Sequence, residues 1–92
     1  MNNILKQSLS NLERKGWKLN DDRIVKTFIF PEFKDVISFM SSAVEFIDTT
    51  NHHPEWKNIY NKLFVELTTH NEGGITELDV ALAEYIEDHF QF

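Results

Sequence analysis

The chain has 92 residues, 41% of them hydrophobic and 26% charged, which suits one domain over residues 1–92 with a thin core of its own. The chain has nine basic and fifteen acidic residues, which gives a net charge of −6. This charge, without a basic cluster, argues against direct binding to nucleic acid. The chain has no cysteine, so it forms no disulfide. No apolar run approaches the roughly 20 residues that span a bilayer, so we expect no membrane contact. The lack of cysteines and of a secretory signal favours a cytoplasmic address.

A first helix is predicted over about residues 3–15, since its leucines recur at the spacing of one helix face: Leu5, Leu9 and Leu12. Gly16 stands where helices commonly end in a left-handed residue. A hairpin follows, with a short strand at residues 17–19 and a longer one at residues 23–30. Lys26 interrupts the apolar pattern of the longer strand, so we expect one end of that strand to be exposed.

A second helix, predicted from about residue 32 to residue 49, is apolar on more than one side. One stripe consists of Val36, Met40, Ala43 and Ile47, and flanking positions are occupied by Ile37, Phe39, Val44 and Phe46. A helix that is apolar around so much of its circumference needs cover on two sides. Its own sheet can supply one side, and we expect another subunit to supply the other.

In the second half of the chain, residues 56–69 form either a hairpin that turns at Asn61-Lys62 or one bent strand. Gly73-Gly74 then breaks the chain, and Thr76 caps a last helix that runs to about residue 89. The predicted buried face of this helix contains Leu78, Leu82, Ile86 and Phe90. The order α-β-β-α-β-β-α predicts an α+β fold, in which three helices pack on one face of a four-stranded antiparallel sheet.

Three of the four histidines lie in two loop-like stretches that also contain carboxylates, residues 48–56 and 68–79. An imidazole, with an unperturbed pKa of about 6.5, exchanges protons near neutral pH, so this grouping favours an acid/base site. Because Pro54 disfavours helix at the residue before it, His52 and His53 should lie in extended chain and point in opposite directions. They then have separate roles or hold a substrate between them. Alternatively, one caps the helix and the other is a solvated loop residue.

The second stretch adds His70, which follows a predicted strand and precedes glycines that leave room for a flat ligand. A single histidine at a strand end is more often structural. Asp79 ends a capping box that starts at Thr76, so it can satisfy helix N–H groups and orient an imidazole as well. Asp48, near a helix C-terminus where negative charge is unfavourable, is a weaker candidate. His89, in the last helical turn, is interpreted as structural.

A metal site is the main alternative role for the histidines. His52, His53 and His70 could converge on one ion, but the chain has neither cysteines nor two histidines four residues apart on one helix. We therefore expect no metal and no cofactor.

Thirteen positions form a spaced signature: Asp48, His52, His53, Pro54, Glu55, Trp56, Tyr60, Asn61, Lys62, Thr69, His70, Gly74 and Asp79. Flanking positions extend it: Gly16, Trp17, Phe28, Phe30, Phe33, Phe39 and Met40. The pattern resembles that of the pterin-4a-carbinolamine dehydratase family from residue 4 onward. Two departures are a slightly shorter first hairpin and Asp48, which stands where glutamate is more common in the family.

The resemblance implies a hydro-lyase that converts 4a-hydroxytetrahydropterin to quinonoid dihydropterin and water, in tetrahydrobiopterin recycling. It implies His52 and His70 as the acid/base pair, with His53 holding the pterin and sharing in proton transfer for one stereoisomer. Asp48 and Asp79 would orient imidazoles or bind the polar edge of the pterin. The other residues implied in the pocket are Trp17, Pro54, Thr69, Asn71 and Glu72.

The resemblance also implies a homodimer or homotetramer assembled through the second helix and a sheet edge, and a link to an aromatic amino acid hydroxylase. This agrees with the doubly apolar second helix. The alternative function is a protein-binding module, because animal relatives also act as dimerisation cofactors of a homeodomain transcription factor. Since such a module would not need the histidines, their presence favours the enzyme.

Overall fold

Residues 2–92, the part of the chain that the structure describes, form three α-helices and four strands in the order that the sequence predicts. In this computed structural model the elements are α1 (Asn3–Arg14), β1 (Lys18–Asn20), β2 (Arg23–Ile29), α2 (Phe33–Thr50), β3 (Glu55–Ile59), β4 (Lys62–Leu67), a short 3-10 helix (His70–Glu72) and α3 (Glu77–His89). The strands form one antiparallel sheet in the order β1-β2-β4-β3, so the predicted α+β fold is confirmed. Within residues 2–92, no helix has the length and apolar character needed to cross a membrane.

The first helix is fixed at both ends by local interactions. The side-chain oxygen of Asn2 accepts a hydrogen bond from the Leu5 N–H at 2.6 Å, and the predicted leucine face is buried. Gly16 has a φ of +103°, which glycine adopts without strain and which turns the chain away from the helix axis. Trp17 therefore enters the core, and β1 begins one residue later than predicted.

One face of the sheet packs against the helices and the other is open. The packed face of β2 and β4 is built of buried apolar residues: Ile24, Phe28, Leu63, Val65 and Leu67. One end of β2 is exposed as predicted, since Ile29 is 61% exposed, but Lys26 itself lies on the packed face and is half-buried. Its ammonium group donates to the Glu87 carboxylate of α3 at 2.6 Å and to the Lys15 carbonyl at 2.6 Å. The lysine is accommodated because its charge is paired.

The second helix is apolar on two sides, as its pattern predicts. Its core-facing residues are Val36, Phe39, Ala43 and Ile47. The prediction that Met40 belongs to this stripe is only partly correct, since Phe39 is buried and Met40 is half-buried. Three large apolar side chains, Phe33, Ile37 and Val44, are exposed along the helix, and we call them the α2 face.

The third helix begins at the predicted capping box. The Thr76 hydroxyl accepts from the Leu78 N–H at 3.2 Å, and the Asp79 carboxylate accepts from the Thr76 N–H at 2.9 Å. The prediction that Leu78 is buried is wrong, because this residue is 44% exposed. Asp79 occupies the buried position instead, and the apolar residues that follow it inward are Val80, Leu82, Ala83 and Ile86.

The two alternatives left open for residues 56–69 are resolved in favour of a hairpin. Its turn is Tyr60-Asn61, one residue earlier than predicted, and Tyr60 has a φ of +51°. The side chain of Asn61 donates to the Phe30 carbonyl at 3.0 Å, which ties the turn to the end of β2. The resulting register pairs Glu55 of β3 with Glu66 of β4. The start of β3 therefore lies beside the end of β4.

Candidate active site

The two segments that contain histidines meet at one end of the sheet. Because β3 and β4 are antiparallel neighbours, the segment before β3 lies beside the segment after β4. Asn51, with a φ of +52°, turns the chain out of α2, and His52 and His53 follow immediately. His70 opens the 3-10 helix that follows β4.

A cleft of about 210 Å³ lies between these segments. The residues that line it are His52, His53, Thr68, Thr69, His70 and Asn71. Two larger hollows, of about 490 and 320 Å³, lie on the open face of the sheet. Among residues 2–92, no histidine contributes to the lining of either hollow. Since three imidazoles converge in the smaller cleft, we take it as the candidate active site.

Asp79 is fully buried, and three hydrogen-bonding groups surround its carboxylate. His52 Nε2 lies 2.6 Å from Oδ1, while the Thr69 hydroxyl at 2.8 Å and the Thr76 N–H at 2.9 Å donate to Oδ2. A buried charge is tolerated when it is hydrogen-bonded in this way. Because an ionised carboxylate only accepts hydrogen bonds, His52 carries a proton on Nε2. Nδ1 of His52 is then the nitrogen that can exchange a proton with a ligand.

The other two histidines of the cleft also direct Nε2 toward a carboxylate, but they do so at the surface. His53 Nε2 lies 3.8 Å from Asp48 Oδ1, and His70 Nε2 lies 3.4 Å from Glu55 Oε1. Both histidine side chains are more than half exposed, so water screens these contacts. One imidazole of the cleft is thus held by the protein interior, and two are open to a ligand.

The remaining pocket residues named from the sequence are divided between the cleft and its surroundings. Thr69 and Asn71 line the cleft. Glu72 lines an adjoining hollow of about 390 Å³, which Thr69 and Asn71 share. Pro54 is half-buried directly before β3 and helps to fix the direction of the histidine segment.

Two other residues singled out from the sequence lie away from the cleft. Trp17 is only 2% exposed, with its ring 5.8 Å from that of Phe28, so the expectation that it forms a wall of the pocket is wrong. The turn after α1 directs its side chain into the core. His89 stacks on Tyr85 at 4.0 Å and its Nδ1 lies 2.8 Å from the Tyr85 carbonyl oxygen, consistent with a structural role.

Sequence reasoning missed three features of the site. The Thr69 side chain, and not only its backbone, takes part by donating to Asp79. Thr68 lines the cleft while its hydroxyl donates to the Asp22 carbonyl at 2.6 Å. Glu55 belongs to the signature, but its approach to His70 depends on the register of β3 and β4, which the sequence does not specify.

The metal alternative has no geometric support in the part of the chain that the structure describes. Across residues 2–92, no group of three or more potential ligands from His, Asp and Glu is arranged to hold an ion. Instead, Nε2 of each cleft histidine lies near one carboxylate. The carboxylate belongs to Asp79 for His52, to Asp48 for His53 and to Glu55 for His70.

The class of protein is thus a small α+β protein with a cleft lined by three histidines at one end of its sheet. The family profile described as Pterin 4 alpha carbinolamine dehydratase matches residues 2–89. The chain therefore belongs to the pterin-4a-carbinolamine dehydratase family, as its signature predicts.

Individual relatives agree with this membership. A protein from Sulfurisphaera tokodaii is 47% identical over 74 residues, which cover 80% of this chain and 80% of the relative. A protein from Dinoroseobacter shibae is 39% identical over 84 residues, which cover 89% of this chain and 87% of the relative. Both carry the name pterin-4-alpha-carbinolamine dehydratase in a provisional form.

Solved structures agree with the fold. The crystal structure of a transcriptional coactivator/pterin dehydratase from Brucella melitensis has a TM-score of 0.84 at 34% identity, covering 96% of this chain and 95% of that protein. A pterin dehydratase-like protein identified as a RuBisCO assembly factor in the alpha-carboxysome has a TM-score of 0.64 at 15% identity. The match covers 78% of this chain and 83% of that protein. The second likeness concerns the fold alone.

Proposed function

We propose that this chain dehydrates a 4a-hydroxytetrahydropterin to the quinonoid dihydropterin. The observation that carries the proposal is the cleft shared by His52, His53 and His70, in which the buried Asp79 holds one imidazole. Membership of the pterin-4a-carbinolamine dehydratase family supports the same chemistry.

The proposed reaction breaks one C–O bond and one N–H bond of the pterin. The lone pair on N5 forms the new double bond to C4a while the 4a-hydroxyl leaves as water. A protonated imidazole delivers a proton to the leaving oxygen, and a neutral imidazole removes the proton from N5. The pair of imidazoles therefore ends with the same number of protons as it began with. Assistance of this kind accelerates a reaction by about 10²–10⁴.

We assign the two proton transfers to His52 and His70, and leave open which of them is the acid. His52 is fixed by Asp79, so its free nitrogen has a constant direction, whereas His70 is exposed and can approach the substrate from the cleft rim. His53 would hold and orient the pterin, with Asp48 beside it. Thr69, Asn71 and Glu72 would contribute backbone groups to the pocket wall.

A stopped-flow experiment tests the proposal. The decay of 4a-hydroxytetrahydropterin is followed by absorbance with the protein, with buffer alone, and with free imidazole at a concentration equal to that of the protein's histidines. We expect a saturable acceleration that free imidazole does not reproduce. Decay at the buffer rate with folded protein present would contradict the proposal.

We further propose that the reaction serves tetrahydrobiopterin recycling, because the 4a-hydroxy pterin is what aromatic amino acid hydroxylation leaves behind. Turnover of a purified aromatic amino acid hydroxylase at limiting pterin, with a dihydropterin reductase present, tests this step. We expect the chain to raise the steady-state rate. An unchanged rate, in the presence of measured dehydratase activity, would argue for another source of substrate.

A second proposal concerns a protein partner, and it is based on the α2 face. Phe33, Ile37 and Val44 are each between 42% and 50% exposed, which is unusual for three large apolar side chains on one helix. We propose that a second copy of this chain covers them, forming a homo-oligomer. The coactivator function named for the Brucella protein is a property of that protein, and here it motivates only the choice of α2 for testing.

A further inference from the structure

The Glu55 carboxylate lies between an arginine and a histidine of the cleft. Its Oε2 accepts from Arg23 Nη1 at 2.7 Å, and its Oε1 lies 3.4 Å from His70 Nε2. Each oxygen of the carboxylate thus has its own partner. The contact joins the open face of the sheet, where Arg23 lies, to the cleft at the end of the sheet.

The position of Glu55 depends on Arg23 because of the strand register. Glu55 and Glu66 are direct cross-strand partners, an arrangement in which like charges repel. Arg23 Nη1 donates to both, at 2.7 and 2.8 Å, and its Nε lies 3.3 Å from Asp22. The hydrogen bond that Arg23 donates to Glu66, together with those that it donates to Asp22 and Glu55, raises the pKa of Arg23 above its ordinary value. The guanidinium therefore stays charged and keeps Glu55 beside the cleft.

We propose that Glu55 is a positioning residue for His70 and that Arg23 holds it in place, an inference that rests on the function proposed above. We place the Nε2 proton of His70 on the side of Glu55, whose Oε1 lies 3.4 Å away, so that His70 exchanges protons through Nδ1. The Nε2 of His52 likewise faces a carboxylate, that of Asp79, at the shorter distance of 2.6 Å. Both members of the proposed acid/base pair thus keep Nδ1 for the substrate, one held by a buried carboxylate and the other by a carboxylate at the surface.

Glu66 provides a matched control for this proposal. It is a half-exposed glutamate like Glu55, lies opposite it in the sheet and binds the same Arg23 nitrogen. Within the described residues, however, Glu66 forms no ion pair with a histidine. Removing either carboxylate disturbs the strand network to a similar degree, but only Glu55→Ala removes the partner of His70.

The first test is spectroscopic and does not require activity. Long-range ¹H–¹⁵N spectra of the histidine rings, recorded where the imidazoles are neutral, report the tautomer of each. We expect His70 in the parent chain to favour the proton on Nε2, and expect Glu55→Ala to reduce that preference while Glu66→Ala leaves it unchanged. An identical His70 spectrum in the parent and in Glu55→Ala would overturn the proposal.

The second test is kinetic. Since screened ion pairs contribute modestly, we expect Glu55→Ala to lower kcat about two- to five-fold with KM unchanged, and expect Glu66→Ala to leave kcat unchanged. In a His70→Ala background, Glu55→Ala should have no further effect, because its partner is gone. An equal loss of kcat in both backgrounds would show that Glu55 acts through the strands and not through His70.

The two tests separate this inference from the proposed function. A parent chain without dehydratase activity contradicts the function, while the ring spectra still decide whether Glu55 orients His70. If Glu55→Ala does not fold, Glu55→Gln, which keeps the size of the side chain, replaces it in both tests. With the carboxylate charge removed, the His70 tautomer preference should again weaken, and an unchanged preference would count against the proposal.

Discussion

His52 Nε2 and Asp79 Oδ1 lie 2.6 Å apart, and they join the turn after α2 to the first turn of α3. The imidazole is nearly buried and the carboxylate completely so. Asp79 therefore has two tasks, because the oxygen that does not face His52 caps α3. The position of a proposed catalytic ring is thus tied to the start of a helix.

Replacing Asp79 with asparagine should disturb both tasks. The amide can donate a hydrogen bond to His52, which favours the wrong tautomer of the imidazole. It also leaves the buried hydrogen-bonding groups poorly matched, so we expect the free energy of unfolding to fall by about 1–3 kcal/mol. We expect kcat to fall about 10–100-fold, as when an orienting carboxylate is removed from a histidine at a metal site. Urea denaturation and steady-state kinetics measure the two effects.

Thr76→Ala is the control that separates capping from orientation. It removes the hydroxyl that caps α3, while the Thr76 N–H that donates to Asp79 remains. We expect a loss of about 1 kcal/mol in stability and little change in kcat of the folded protein. A loss of kcat as large as that of Asp79→Asn would mean that capping, and not contact with His52, accounts for the effect.

Thr69→Val should test the second hydrogen bond to the Asp79 carboxylate. The substitution keeps the shape of the side chain but removes a donor from a fully buried acceptor, so we expect a loss of about 1–3 kcal/mol. Differential scanning calorimetry of the parent and the variant measures this loss of stability. Thr27→Val, at an exposed position of β2, serves as the control, and equal losses in the two variants would contradict a specific role for Thr69.

The Lys26–Glu87 pair should stabilise the fold without affecting the cleft. Its side chains are 19% and 12% exposed, and Glu87→Gln would leave the lysine half-buried beside a neutral group. We expect a loss of about 1–3 kcal/mol with kcat unchanged. Urea denaturation provides the measurement, and Glu84→Gln, on an exposed position of the same helix, is the control. If Glu87→Gln is as stable as Glu84→Gln, the Lys26–Glu87 pair does not stabilise the fold.

The α2 face should be covered by a second copy of the chain. Ile37→Glu places a charge among Phe33, Ile37 and Val44, and we expect it to shift the sedimentation coefficient at micromolar concentration to that of a monomer. Glu45→Gln, elsewhere on the surface of α2, should leave the assembly intact. A parent chain that sediments as a monomer would contradict the proposal.

Periodic apolar residues predicted the order of the elements, because burial of leucines and phenylalanines is the dominant constraint on where each helix and strand lies. The same reasoning failed at Leu78, since an apolar pattern cannot anticipate that a hydrogen-bonded carboxylate, Asp79, occupies the buried position. It also failed at Trp17, whose direction depends on the turn at Gly16. In each case a local hydrogen bond or backbone angle decided the outcome.

For the candidate site, the sequence indicated which residue types belong together but not how they pair. Turn residues around His52 and His70 marked both segments, and the antiparallel neighbours β3 and β4 explain why they meet. The contact between Glu55 and His70 could not be predicted, because it depends on a strand register fixed by the turn at Tyr60.

The most direct test compares the dehydration rates of His52→Ala, His70→Ala and His89→Ala, each confirmed as folded by circular dichroism. His89 is the matched control, as an exposed histidine that stacks on Tyr85 away from the cleft. We predict that kcat/KM for 4a-hydroxytetrahydropterin falls by about 10² or more in the first two variants and stays within about two-fold of the parent in the third. Parental rates in His52→Ala and His70→Ala would contradict the central claim that these two imidazoles carry the protons.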